Sequence, residues 1–391
     1  MKRIAEILKN EIVLTVATIL AIISAFWIPP DAGYLEYVDF RTLSLLFCLM
    51  AVMGGFQRLG VFRLIAQGLL KKVGTGSVRI VLVLVLLAFF FSMLITNDVG
   101  LITFVPFTFT VLELLGDKAR DRLVVPVIAL ETLAANLGSM LTPIGNPQNL
   151  YLYGKAGLSV GSFLLLMLPY TAVAGVLLII WSVVVGMRHG TKPEEQGDLS
   201  AMSRGADKTG NVTLWLLLIY VALFAMALLT VANKVPYVIT LAVTAVAITL
   251  FDRKTLGKVD YFLLLTFTAF FVFIGNMGRI PAFSSFLGSI VDGREVPVAV
   301  CASQVISNVP SALLLSGFSK NYQALIIGVN LGGMGTLIAS MASLISYKFL
   351  AKGLPEKKGK YLGYFTVTNL IFLAILLGTY YLCISQITWE G

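Results

Sequence analysis

The sequence predicts an all-α polytopic membrane protein: two inverted-topology repeats, about nine spanning helices (two of them broken), and two re-entrant helical hairpins. Three observations carry this. Apolar runs of membrane-crossing length recur, Lys and Arg sort to one side of them, and the second half repeats the first.

Of 391 residues, 58% are hydrophobic and 13% charged, with a mean hydropathy of +0.91. Soluble domains carry about 25% charged residues, so this chain cannot cover a water-facing surface. The net charge of +9 resides in short loops between apolar runs, which argues against a nucleic-acid partner. Cys48, Cys301 and Cys383 lie in apolar segments without disulfide or metal spacing, and His189 is the single histidine. That set supports neither a metal centre nor a His-based triad. No nucleotide-binding motif is visible. The chain therefore reads as neither an enzyme nor an ATP-driven pump, and no cofactor is expected.

Runs of about 20 apolar residues cross a bilayer. Spans are expected at 11–29, 40–56, 122–149, 160–187, 211–231, 234–251, 259–275, 321–350 and 361–383. The basic start and apolar core of residues 1–30 have the form of a leader. The apolar segment 234–251 holds the corresponding place in the second half, so the first is read as a retained span. Segment 295–319 is too short for two spans and breaks at Ser307-Asn308-Val309-Pro310, which predicts a hairpin. Segment 78–116 breaks at Thr96-Asn97-Asp98. Its length allows two spans, but its likeness to the shorter segment favours a hairpin there too.

With the N-terminus inside, all of the 29 Lys and Arg except Arg41, Lys155, Lys234, Arg279, Arg294 and Lys320 fall on the inner side, as the positive-inside rule requires. This puts the C-terminus outside, in the periplasm of a cell with an inner membrane.

The internal repeat is visible at residue level. Val38-Asp39, Leu43, Gly54, Arg58 and Phe62 match Val259-Asp260, Leu264, Gly275, Arg279 and Phe283 at one offset. Further on, NLGSMLTPIGNPQNL from Asn136 aligns without gaps to NLGGMGTLIASMASL from Asn330. The division is residues 1–187 as repeat one, 188–210 as a cytoplasmic linker and 211–391 as repeat two. Five crossings separate equivalent points, and an odd number inverts the second copy. Inverted repeats with helices broken at the midplane characterise secondary transporters.

Backbone at membrane depth stays non-helical only where it is buried in protein or lines water. The chain has four such places: the tips at Asn97 and Asn308, and the breaks at Thr142–Asn149 and Gly332–Thr336. Half-helix N-termini attract anions, and free carbonyls suit Na⁺. Asn and Ser there read as helix caps. Gly138, Gly145, Gly332, Gly333 and Gly335 read as permitting unusual backbone angles and close ligand approach. Asp98 is an acid at membrane depth and a functional candidate by default. It is read as protonated, cation-binding or capping. Glu131, in the span that breaks after Asn136, is a secondary candidate. Arg58 and Arg279 read as anchors.

The motifs TNDVGLITFVP, ANLGSMLTPIGNPQN, SQVISNVPSALLLS and GVNLGGMGTLIASMASLISYK resemble the signatures of the ion transporter superfamily. That group holds citrate transporter-like proteins, divalent anion:sodium symporters, arsenite permeases and D-type sodium/proton antiporters. The resemblance implies Ser-Asn-Thr triplets at both hairpin tips holding substrate and sodium. Here they read Thr96-Asn97-Asp98 and Ser307-Asn308-Val309, and the Asn-Asp tip looks more like the arsenite-permease branch. It also implies a scaffold, a moving transport domain and a homodimer.

The expected function is secondary active transport of a small anion, a carboxylate such as citrate or an arsenite-like oxyanion, coupled to Na⁺ or H⁺. The alternative is a Na⁺/H⁺ antiporter; a passive channel or membrane-embedded enzyme has less support. The expected binding residues are Thr96, Asn97, Asp98, Asn136, Gly138, Thr142, Gly145, Asn146, Ser307, Asn308, Asn330, Gly332 and Thr336. A Na⁺ position is expected near Asn97, Asp98 and Asn308. The expected partners are a small anionic substrate and the lipid bilayer.

Overall fold

The structure is a computed structural model and describes residues 11–73, 76–190 and 214–384. Most of the expected linker therefore lies outside the described residues, as do Lys2, Arg3, Lys9, Lys192, Arg204 and Lys208 of the charge sorting.

In chain order the helices are α1 (Ile12–Trp27), α2 (Tyr34–Tyr37), α3 (Phe40–Arg58), α4 (Val61–Val73), α5 (Ser77–Phe91), α6 (Asn97–Leu114), α7 (Asp117–Ser139), α8 (Pro147–Ala156), α9 (Val160–His189) and α10 (Leu214–Val231). They continue as α11 (Tyr237–Phe251), α12 (Tyr261–Gly278), α13 (Pro281–Val291), α14 (Glu295–Ile306), α15 (Asn308–Ser316), α16 (Tyr322–Gly332), α17 (Met341–Gly353) and α18 (Lys358–Ile384). Short 3₁₀ turns precede α12, α17 and α18. The protein is an all-α polytopic membrane protein. Among the described residues, seven helices are long and apolar enough to cross a membrane, and α1, α5, α11, α14 and α16 are shorter apolar helices.

Each expected span has its helix. The two broken spans appear as α7–α8, interrupted over residues 140–146, and α16–α17, interrupted over 333–340. Both expected hairpins appear as helix pairs, α5–α6 and α14–α15, packed against each other. Besides the four-residue α2, two helices were missed: α4 and α13, of 13 and 11 residues. Neither is long enough to span, so a search for 20-residue apolar runs passes over them. They occupy matching places in the two halves, each leading into a hairpin.

Two compact units divide the chain, each from three discontinuous stretches. The Asn308 unit takes its described residues from Met1–Gly54, Pro147–Ser159 and Val221–Gly332. In it α12 packs on α1 and α2, and the hairpin α14–α15 packs on α16 and α8. At one end the Arg279 guanidinium meets the Asp31 carboxylate at 2.7 Å and the Tyr37 hydroxyl at 3.0 Å. That contact holds the exposed Asp31 carboxyl below its usual range. The anchor role expected for Arg279 therefore has a partner.

The Asn97 unit takes its described residues from Gly55–Asn146, Val160–Tyr220 and Gly333–Gly391. Its centre is α7, against which α5, α6, α9, α17 and α18 pack. The apolar stretch of α7 is 94% buried, while that of α9 is only 33% buried. An apolar helix left that open in a water-soluble protein would aggregate; in a bilayer it faces acyl chains. These units are a different division from the two sequence halves, since each draws on both.

Candidate functional site

The polar groups of the Asn97 unit converge on Asn136, which is buried three residues before the end of α7. Its Oδ1 accepts from Asn97 Nδ2 at 2.9 Å and from Ser340 Oγ at 3.1 Å, and its Nδ2 donates to Ser343 Oγ at 3.5 Å. An Asn amide in a dry interior needs such partners on both ends. The Asn97 backbone N–H donates to the Gly145 carbonyl at 3.1 Å, and its Oδ1 accepts the Asp98 N–H at 3.0 Å. The Thr142 hydroxyl donates to the Met93 carbonyl, Asn146 Nδ2 to Ser139 Oγ, and Ser139 Oγ to the Asn136 carbonyl. The hairpin tip, the break after α7 and the start of α17 thus form one network. Thr96 is buried at its edge, Asp98 is half-buried in the first turn of α6, and Thr336, in the same unit, is exposed.

The Asn308 unit repeats part of this plan. Asn330 Nδ2 donates to Asn149 Oδ1 at 2.6 Å and to the Ile326 carbonyl at 2.7 Å. Gln304 Nε2 takes up the Gly332 carbonyl at 2.9 Å, where α16 ends. Asn149 and Ser343 occupy the same aligned position, so Asn136–Ser343 and Asn330–Asn149 are the same contact made twice. Each joins the first limb of one broken helix to the second limb of the other. Asn149, Ser340, Ser343 and Gln304 were absent from the expected set. The gapless alignment held the signal for three of them, since it pairs Asn149 with Ser343 and Asn146 with Ser340.

Three expectations are corrected. Neither tip uses a side-chain cap: Thr96 and Ser307 precede α6 and α15 without accepting a helix N–H. The N–H of Asn97 is not open to an anion, because the Gly145 carbonyl occupies it. Gly138 and Gly332 serve packing. A Cβ on Gly138 would stand 1.9 Å from the Phe89 carbonyl oxygen, and one on Gly332 would stand 2.6 Å from Ser303 Oγ. Both glycines let a broken helix approach the first limb of a hairpin. Only Gly335 among the expected glycines has a positive φ, at 112°.

The second tip differs in its backbone. Ser307 sits at φ 72°, ψ 156°, a conformation that L-residues adopt only under constraint. Among the described residues, the N–H groups of Asn308 and Val309 have no protein acceptor, and the buried Asn308 amide has no side-chain partner. In a helix start at membrane depth, such donors call for water or a ligand.

A sequence profile described as Citrate transporter matches residues 4–324. The chain belongs to the CitMHS citrate transporter family. An uncharacterized transporter of Methanocaldococcus jannaschii is 33% identical over 311 residues, covering 80% of this chain and 81% of that protein. Inner membrane protein YbiR of Escherichia coli is 32% identical over 321 residues, covering 80% of each. The silicon efflux transporter LSI3 of Oryza sativa subsp. japonica is 36% identical over 142 residues, covering 36% of this chain and 28% of that protein. The protein is thus a multi-pass membrane transporter. The family and two of these three relatives are described as transporters.

Proposed function

We propose that this protein moves a small anion across the inner membrane by alternating access, coupled to Na⁺ or H⁺, with the two Asn-centred polar sets binding ion and substrate. The observation that carries the reading is the contact made twice, Asn136–Ser343 in one unit and Asn330–Asn149 in the other. Repeated use of one aligned pair is what two inverted copies around a common design produce. The unfilled N–H groups and amide at Asn308 fit an anionic ligand group, since they are donors at a positive dipole end. Asp98 lies in the first turn of α6, at the positive end of the helix dipole. There it can help hold Na⁺ with the oxygens of Thr96 and Asn97. The family description brings citrate into range, and the function in the rice relative's name, silicon efflux, brings in a small oxyacid. The orientation follows the charge sorting: N-terminus cytoplasmic, C-terminus periplasmic. The family resemblance also implies a homodimer.

The deciding experiment is uptake by proteoliposomes of citrate, succinate, arsenite and silicic acid, with and without Na⁺ and pH gradients. Saturable uptake of one of them, raised above equilibrium by an ion gradient, is expected. Ion exchange with no uptake of any of them would make the protein a Na⁺/H⁺ antiporter. Flux that neither saturates nor responds to a gradient would make it a channel.

A further inference from the structure

The Asn97 unit holds a second acid, which the network around Asn136 does not use. Glu131 lies five residues before Asn136 on α7, about 7.5 Å along the helix axis, and is wholly buried. Its Oε1 accepts from the Thr108 hydroxyl of α6, and its Oε2 has no hydrogen-bond partner. Next to it, the Thr132 hydroxyl meets the Tyr361 hydroxyl of α18 at 3.3 Å.

We infer that the Glu131 carboxyl is a proton-binding site, that it holds a proton in this conformation, and that this proton is exchanged during the transport cycle. Charge and partners both point there. Among the described residues, the side-chain partner of Glu131 is the uncharged Thr108 hydroxyl, with the Thr132–Tyr361 hydroxyl pair beside it. Arg79 on α5, Asp98 and Glu113 on α6, Arg188 and His189 on α9, Lys348 and Lys352 on α17, and Lys358 and Lys360 on α18 make no hydrogen bond or ion pair with it. An ionised carboxylate buried with no cation is among the costliest states a protein can hold, and a proton removes that cost. Sodium fits poorly here, because a single threonine hydroxyl and an unpartnered oxygen do not make a cation cage. Among the described residues, Oε2 of Glu131 is the one carboxylate oxygen among the buried polar atoms that lack a hydrogen-bond partner. The orphaned Oε2 is where the proton enters and leaves. It marks the state shown as one of at least two, the other giving Oε2 access to water.

The site itself is testable without a substrate; its role in coupling rests on the transport reading above. Infrared spectra of purified protein at neutral pH should show the C=O band of a protonated carboxyl in apolar surroundings. Glu131→Gln should remove it and Asp98→Asn should leave it. Absence of the band in wild type, or its survival in Glu131→Gln, overturns the site. In proteoliposomes given citrate, succinate, arsenite and silicic acid, Glu131→Gln should retain exchange of the transported compound. It should accumulate that compound at least tenfold less under a pH gradient. Wild-type accumulation in this variant overturns the coupling role. If wild type transports none of these under any gradient, the transport reading fails, while the infrared result still decides the site.

Discussion

The two hairpin tips occupy matching places in the repeats and yet are built to different standards. The Asn97 tip is tied on three sides: its N–H to the Gly145 carbonyl, its amide nitrogen to Asn136, its amide oxygen to the Asp98 N–H. The Asn308 tip is open, with a strained Ser307, two N–H groups lacking protein acceptors among the described residues, and Val309 where the other tip has an acid. A tip whose polar groups are satisfied internally is preassembled. One whose groups are unmet waits for a ligand or water to complete it. The difference teaches that a shared asparagine does not mean a shared role. Asn97 organises its unit, and Asn308 is free to bind.

The steric requirement behind both tips can be broken most severely at Gly138. A methyl group there meets the Phe89 carbonyl oxygen, which is backbone and cannot turn away, whereas the contact at Gly332 is first with the Ser303 side chain. Gly138→Ala should therefore cost more than about 3 kcal/mol, at or beyond the upper end for overpacking, and Gly332→Ala about 1–3 kcal/mol. Thermal unfolding in detergent measures both. Equal losses would mean the two hairpins pack alike, and the contrast would lose its steric basis.

The asparagines themselves separate binding from organisation. Asn97→Ala strips Asn136 of a buried partner and should destabilise by about 1–3 kcal/mol as well as abolish transport. Asn308→Ala breaks no side-chain hydrogen bond among the described residues, so its stability should change by less than about 0.5 kcal/mol while transport is lost. Paired stability and uptake measurements check this. An Asn308→Ala protein with normal uptake would reduce the second tip to a turn.

Backbone strain gives a smaller effect of opposite sign. Glycine has no Cβ to clash at φ 72°, so Ser307→Gly should stabilise the protein by about 1 kcal/mol. A loss of stability instead would show that the Ser307 side chain contributes more than its backbone costs.

A modest change in stability is expected at Asp98, which is half-buried at a helix N-terminus. Asp98→Asn gives up a favourable dipole contribution of about 0.3–1 kcal/mol. It should weaken any sodium dependence of transport and leave the pH drive in place. Loss of the pH drive in this variant would move the proton from Glu131 to Asp98.

The sequence by itself determined the membrane class, where helices form for the expected spans and both expected hairpins, and the alignment of Asn136 with Asn330. All of these follow from chain-local quantities: the length of an apolar run, the sort of flanking charge, and residue identities that recur at one offset. What those rules miss is short or relational. The helices α4 and α13 escaped because they do not cross, and the glycines were assigned to ligand approach because packing partners are distant in sequence. Tertiary structure alone decided that Gly145 satisfies Asn97, that Asn149 and Ser343 complete the asparagine contacts, and that Glu131 has an oxygen with nothing to bond. Each is a meeting of groups tens to hundreds of residues apart. At membrane depth no water fills a gap in hydrogen bonding. Whether a polar residue is a strut or a binding group is therefore set by what the fold brings beside it.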